Sequence, residues 1–331
     1  MIATDYVTAR EALYAAAPLA GGLCFGLPLD ATGPAGEALH IDVAWLGARA
    51  PRAAVLLTGG LRGVEGFAGD AVQRSILGAG QPALPADVAL LFVHTLDPSG
   101  MAWTRRANEN SVDLAHNLLP PGGQYAGTPA AYADLSDALN PASPPDPNFR
   151  GIRAGMFGLQ HGGAALMAAI DAGQYDHPTR LAWGGDALQQ GPARLKAWIQ
   201  TALKGLEQLV VVDVRTGPGA DTVRATEALC AALPAAKPVE EGEPLHRWLP
   251  TLLPDARVDV AILHASTVGA GKAAYALREE NRWHHHGQGG IDHPTKAGLR
   301  AAFVRADAGW HRRLCERGKA LVADATKFLS V

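Results

Sequence analysis

Four stretches of this chain carry side chains that can do chemistry. The first is "LTGGLRGVEGFAGDAVQ", Leu57 to Gln73: an apolar run, a glycine-rich turn with Arg62, and Glu65 at the mouth of a helical pattern. The second, "HTLDPSGMAWTRRANENSVDLAHN", packs Arg105, Arg106, Asn108, Glu109, Asp113, His116 and Asn117 into one short span. The third, "VVVDVRTGPG", holds Asp213 and Arg215, and the fourth, "AILHAST", holds His264, Ser266 and Thr267. A guanidinium presents a fixed fork of N–H donors that matches a carboxylate or phosphate. Imidazoles and carboxylates carry protons at ordinary pH. These residue types suit an anion pocket or an acid–base site.

Each cluster sits at the end of an apolar run, and that gives the elements that must position it. "RAAVLLTGG" (52–60), "DVALLFVHTLDP" (87–98), "EQLVVVDVRTGPG" (207–219) and "RVDVAILHAST" (257–267) read as strands. Helical patterns separate them, over 66–80, 154–172, 191–206, 221–233, 270–283, 294–305 and 308–328. Continuously apolar strands between helices predict a sheet covered on both faces. The expected fold is a three-layer α/β/α sandwich with a mixed, mostly parallel sheet. Ligands of such sheets lie at the carboxyl ends of the strands, where the four clusters fall. One domain over 1–331 is expected, with the Pro/Gly/Ala-rich segment 117–151 as a long ordered loop or lid.

Composition narrows the class. Of 331 residues, 48% are apolar and 18% charged, enough for a substantial core. With a net charge of −3 and no Lys/Arg run, nothing points to nucleic acid. No apolar run reaches the ~20 residues of a membrane helix. The three cysteines, Cys24, Cys230 and Cys315, form no CxxC pair. They read as reduced thiols, and the expected location is the cytoplasm. The N-terminus, carrying Asp5 and Glu11, reads as an amphipathic helix rather than a signal peptide. Oligomeric state is open, a homo-oligomer included.

"GGLRGVEGFAGDAVQ", "VHTLDPSGMAWTRRANENSVDLAHN", "AGQYDHPTRLAWGG", "VVVDVRTGPG" and "YALREENRWHHHG" resemble, in order, the landmarks of the zinc-carboxypeptidase superfamily. They are most similar to a bacterial branch of unknown function. The resemblance runs from about residue 5 to 328, with the segment around 220–250 shorter than is typical. In the family, a His and a Glu three residues apart and a later His hold one zinc. The metal makes a hydroxide available near neutral pH, with a bound-water pKa of ~7. A further Glu takes the proton, and arginines with an Asn-Arg pair hold the substrate carboxylate.

Carried across by position, the match is uneven. The first zinc His falls on Arg62, and the zinc Glu is kept as Glu65. "DLHTG" appears as "DVRTG", so the second zinc His falls on Arg215. "DLNRN" appears as "DLAHN", with Ala115 and His116 in place of the Asn-Arg pair. "EFGT" appears as "HAST", which puts His264 where the proton-accepting Glu stands. Arg105, Arg106, Asn108, Glu109 and Asp113 are kept. A guanidinium stays protonated and has no lone pair for a metal. The resemblance therefore implies a degenerate site without zinc, in which Arg62 and Arg215 both hydrogen-bond Glu65.

Two readings of that cluster stay open: an ion-pair network filling a dead site, or a pocket whose surplus positive charge receives a carboxylate or phosphate. On the second reading Arg62, Arg215, Arg105, Arg106, His116 and Asn108 bind the ligand, a small-molecule or peptide carboxylate. No cofactor is expected. The protein would be a carboxylate binder or a regulatory pseudoenzyme. The alternative is a hydrolase that uses Glu65 and His264 catalytically, without metal or with a metal moved to Glu65, His264 and His116. Ser266 is a weak nucleophile candidate, since no G-x-S-x-G elbow is present. "WHHHG" (283–287) points its histidines in different directions along a helix and reads as structural. "GPGAD" (217–221) before a helix is a weak phosphate-loop signal. "AGQYDHP" and "WGG" read as loops framing the cleft.

Overall fold

A computed structural model describes residues 2–145, 151–240 and 242–329. Within them, eight strands make one mixed sheet: β1 Leu23–Thr32, β2 Ala38–Gly47, β3 Ala53–Gly59, β4 Val88–His94, β5 Gln208–Gly217, β6 Thr222–Ala225, β7 Lys237–Pro238 and β8 Arg257–Ser266. Their order is β1-β2-β4-β3-β5-β8-β6-β7. The four strands expected from apolar runs form the parallel centre, β4-β3-β5-β8. The β1–β2 hairpin adds to one side antiparallel, and β6 lies antiparallel on β8.

Described helices of ten residues or more are α1 Tyr6–Leu19, α2 Gly66–Leu77, α3 Gly151–His161, α4 Gly163–Ala172, α5 Gln190–Ala202, α6 Ala270–His286, α7 Pro294–Phe303 and α8 Ala308–Phe328. Strand side chains alternate between two layers. Ala53, Val55 and Leu57 pack with Leu13 of α1, Val72 of α2 and Leu321 of α8. Ala54 and Leu56 pack on the other face with Leu195 and Ile199 of α5. A third cluster joins α3, α4, α6 and α7 beyond the carboxyl end of the sheet. The sandwich expected from the sequence is thus the fold observed. No described helix is long and apolar enough to cross a membrane.

Helix ends follow local chemistry. Asp5 caps α1, its Oδ1 accepting from Thr8 N at 2.8 Å, and Asp307 caps α8 by accepting from Trp310 N at 2.6 Å. Such caps satisfy donors that the first turn leaves unpaired.

Several expected elements differ. The strand expected over 87–98 stops at His94. The helix expected over 154–172 is two helices, because Gly162 breaks it at φ 76°. The helix expected over 221–233 is instead β6 followed by a short helix, Glu227–Ala232. β1 and β2 were not expected. β1 contains Gly26 and Pro28, which an edge strand tolerates. In the expected lid, residues 146–150 lie outside the described ones, and the rest carries two short helices, Ala130–Ala133 and Ser136–Leu139.

Candidate functional site

The turn after β3 sets the site. β3 and α2 cross at two glycines: a Cβ on Gly59 would lie 2.8 Å from the Cα of Gly69. Gly60 and Gly63 take φ of 72° and 46°, the left-handed region that glycine enters without strain. A Cβ on Gly63 would stand 2.3 Å from the Arg105 carbonyl. With nothing there, the 100–106 loop closes on the turn, and Val64 N donates to Arg105 O at 2.8 Å. That contact carries Arg106 to Glu65.

Glu65 is 2% exposed. Its Oε2 accepts from the Thr216 backbone N at 3.0 Å, and its Oε1 faces Arg106 Nε at 3.5 Å. Arg62 and Arg215 do not hydrogen-bond it, contrary to the expectation. Each has acids of its own. Arg62 lies 3.6 Å from Asp113 and 3.5 Å from Asp171. Arg215 donates from Nε to Asp213 Oδ2 at 2.6 Å and from Nη1 to Glu243 Oε2 at 2.5 Å. Burial opposes the charge on Arg215, yet Asp213 and Glu243 hold its pKa above the ordinary range. Asp213 is also fixed by Thr58 Oγ1 at 2.7 Å.

These groups line a cavity of about 460 Å³ at the carboxyl ends of the parallel strands. Of the candidates, Arg62, Glu65, Arg106, His116, Arg215 and His264 line it. Arg105 and Asn108 do not. The Arg105 side chain turns away, to Glu280 at 3.2 Å and His284 at 3.0 Å. Asn108 holds its own loop: its Oδ1 accepts from Asn110 N and Val112 N, and its Nδ2 donates to Gln189 Oε1. Asn117 likewise braces the 184–189 loop, donating to Gly184 O and Ala187 O.

Several lining groups were not expected from the sequence: Asp171, Arg224, Arg247, Glu240 and Glu243. Glu243 stands in a short segment with no pattern of its own. It becomes part of the site only because Arg215 and Arg224 both reach it, at 2.5 and 3.4 Å. The surplus positive charge expected of the pocket is therefore small. The wall carries five arginines and four acids.

Compensation is uneven. Burial, reinforced by Arg62, lowers the pKa of Arg106. Arg106 is 7% exposed, lies 3.5 Å from Glu65 and 3.6 Å from Asp171, and neither its Nε nor its Nη1 has a hydrogen-bond acceptor. Nη2 of Arg215 has none either. Although burial opposes its charge, Arg62, His116 and Arg106 hold the Asp113 carboxyl below the usual range. Burial lowers the pKa of His116, with Arg62 and Arg106 adding to it and Asp113 and Asp171 opposing it.

The other candidates have structural partners. The 217–221 segment opens no helix. It turns the chain, with Gly217 and Gly219 at φ 150° and 118°, into β6. The turn occupies the end of β8: Ser266 Oγ donates to Gly219 O at 2.7 Å, and His264 Nδ1 lies 3.0 Å from Ala220 O. Ser266 and His264 thus both face backbone carbonyls of the turn and not one another. In "WHHHG", His284 meets Arg105, and Gly287 N closes α6 on Trp283 O at 2.8 Å. Of the framing loops, Tyr175 lines the cavity and donates to His116 O at 2.8 Å.

The zinc of the resembled superfamily does not fit this donor set. Arg62 and Arg215 offer no lone pair, and Glu65 is engaged by Thr216 N and faced by Arg106. Among the described residues no group of three His, Cys, Asp or Glu could hold a metal ion. Glu65, His264 and His116 share the cavity without forming such a group.

Fold and site together define an α/β/α protein with a guanidinium–carboxylate pocket at its strand ends. The chain belongs to DUF2817, a family of proteins of unknown function, whose model matches residues 2–244. No curated protein matches it. Among solved structures, it is similar to a metallo-carboxypeptidase from Burkholderia cenocepacia at 12% identity and TM-score 0.43, over 96% of this chain and 68% of that one. It is similar to the murein-tripeptide amidase MpaA from Escherichia coli O157 at 15% and 0.39, over 76% and 90%. A carboxypeptidase A from Helicoverpa armigera matches at 9% and 0.42, over 96% and 72%. Likeness this remote carries nothing about activity, and the site is read from its own residues.

Proposed function

We propose that this protein binds a small organic carboxylate, free or at the end of a peptide, in the arginine-lined cavity, and does so without zinc. One observation carries the reading. Arg106 Nε and Nη1 and Arg215 Nη2 are buried in the cavity wall with no hydrogen-bond acceptor. Both guanidiniums are ion-paired, Arg106 only at 3.5 and 3.6 Å, and a carboxylate seated against them supplies acceptors that their wall does not. The acids on the same wall favour a singly charged carboxylate over a polyanion. A regulatory, non-peptidase role in a reducing compartment suits the arginines at the zinc positions and the three free cysteines.

The test is thermal stability at constant ionic strength with acetate, N-acetylglycine or inorganic phosphate. The carboxylates should raise Tm in the wild type and not in Arg106→Gln. Equal shifts in both proteins would refute the site.

The hydrolase reading keeps one supporting observation. His116 lines the cavity, and its Nε2 has no hydrogen-bond partner, as a proton acceptor for substrate would require. Turnover of acyl-amino acids that is lost in His116→Gln would favour it.

A further inference from the structure

Five arginines line the cavity, but they are not equivalent as seats for an anion. Arg215 is committed to Asp213 and Glu243, Arg224 to Glu240 at 2.9 Å and Glu243 at 3.4 Å, and Arg247 donates from Nε to the Leu118 carbonyl at 3.0 Å, away from the acids of the wall. Arg62 and Arg106 differ. Their shared acid is Asp171, and its contacts with them, at 3.5 and 3.6 Å, are longer than a good charge-assisted hydrogen bond. Arg106 keeps two buried nitrogens unpartnered in its presence.

Asp171 is also the most weakly held group of the three. Its side chain is 51% exposed, against 15% for Arg62 and 8% for Arg106. It stands in the last turn of α4, one residue before the helix ends at Ala172. A carboxylate there faces the negative end of the helix dipole. What holds it inward is the two guanidiniums, and solvent is open to it on the other side.

We infer that Asp171 is a built-in stand-in for the ligand: its carboxylate occupies the anion seat over Arg62 and Arg106, and an incoming carboxylate displaces it into solvent. This rests on the proposed anion-binding function and adds to it the seat and the competitor. The seat then has a definite chemistry. It takes one carboxylate, in the fork between two arginines. Removing the acid on the wall should tighten binding, the reverse of what a ligand-contacting residue would do.

The experiment is a ligand-observed NMR titration of N-acetylglycine at constant ionic strength, with four forms of the full chain. Wild type should bind, and Arg106→Gln should not. Asp171→Asn and Asp171→Ala should each bind about fivefold more tightly, the size of one partly exposed ion pair. The alanine variant guards against a gain supplied by a new amide donor. Asp171 is half exposed, so both variants should fold, which their circular dichroism checks. If wild type binds, Arg106→Gln fails to bind, and both Asp171 variants bind equally or less tightly, the stand-in is overturned and the binding function stands. If neither wild type nor the Asp171 variants bind N-acetylglycine, the binding function itself falls, and the stand-in with it.

Discussion

Replacing Arg215 with glutamine removes the one cation that touches both Asp213 and Glu243. Asp213 has no exposed surface, and the Glu243 side chain is 9% exposed. Breaking a buried pair from one side leaves an uncompensated charge and costs about 3–5 kcal/mol. Thr58 and Arg224 remain as partial partners for the two acids, so the lower end of that range is expected. At about 2.1 cal/mol/K per residue, unfolding 331 residues releases an entropy of roughly 0.7 kcal/mol/K. The loss therefore corresponds to a Tm decrease of roughly 4–7 °C. Calorimetry of Arg215→Gln, Glu243→Gln and the double variant reads both the size and the coupling. The double variant should lose less than the sum of the singles by about 1 kcal/mol or more, because the second change removes the charge that the first one orphaned. A Tm decrease under about 1 °C, or strict additivity, would refute the claim that this arginine is fixed by its acids.

Three further outcomes are expected. Gly63→Ala should cost about 2 kcal/mol or more, since its φ is 46° and its Cβ would meet the Arg105 carbonyl at 2.3 Å; it should also blunt the carboxylate-induced Tm shift by moving Arg106. Desolvation of the two rings, with Arg105 nearby, pushes His285 down to about 4 and His284, whose outer edge stays exposed, down to about 3. Below about 6.5 the unfolded chain takes up protons that the folded one refuses, so stability should fall as pH drops from 6.5 towards 4, and His284→Gln should flatten that slope in a Tm–pH series. After dialysis against zinc, elemental analysis of untagged protein should find less than about a tenth of an equivalent. Near one equivalent, lost in Glu65→Ala or His264→Ala, would return the metal to the site.

Much was legible in the chain because the signals are local. Runs such as "AAVLLTG" and "LVVVDV" are continuously apolar because both faces are buried, and their alternation with helical patterns marks a central parallel sheet. The turn glycines and Glu65 announce a strand-to-helix junction by type and spacing. Six of the eight candidate site residues line the cavity, since strand-end loops converge wherever parallel strands share a sheet. The other two show the limit. Arg105 and Arg106 are adjacent, yet one turns to Glu280 and the other to Glu65. Their backbone is fixed by contacts with Gly100 and Val64 that no spacing rule reports.

Residue types at the strand ends, Arg62 and Arg215 among them, belong to the sequence by itself. A guanidinium cannot ligate a metal in any fold. Which acid each arginine meets was decided only by the tertiary structure. Ion pairing depends on separations of a few ångströms between groups far apart in the chain, such as Arg62 with Asp171 and Arg215 with Glu243. Those separations set which charges are satisfied and which wait for a ligand.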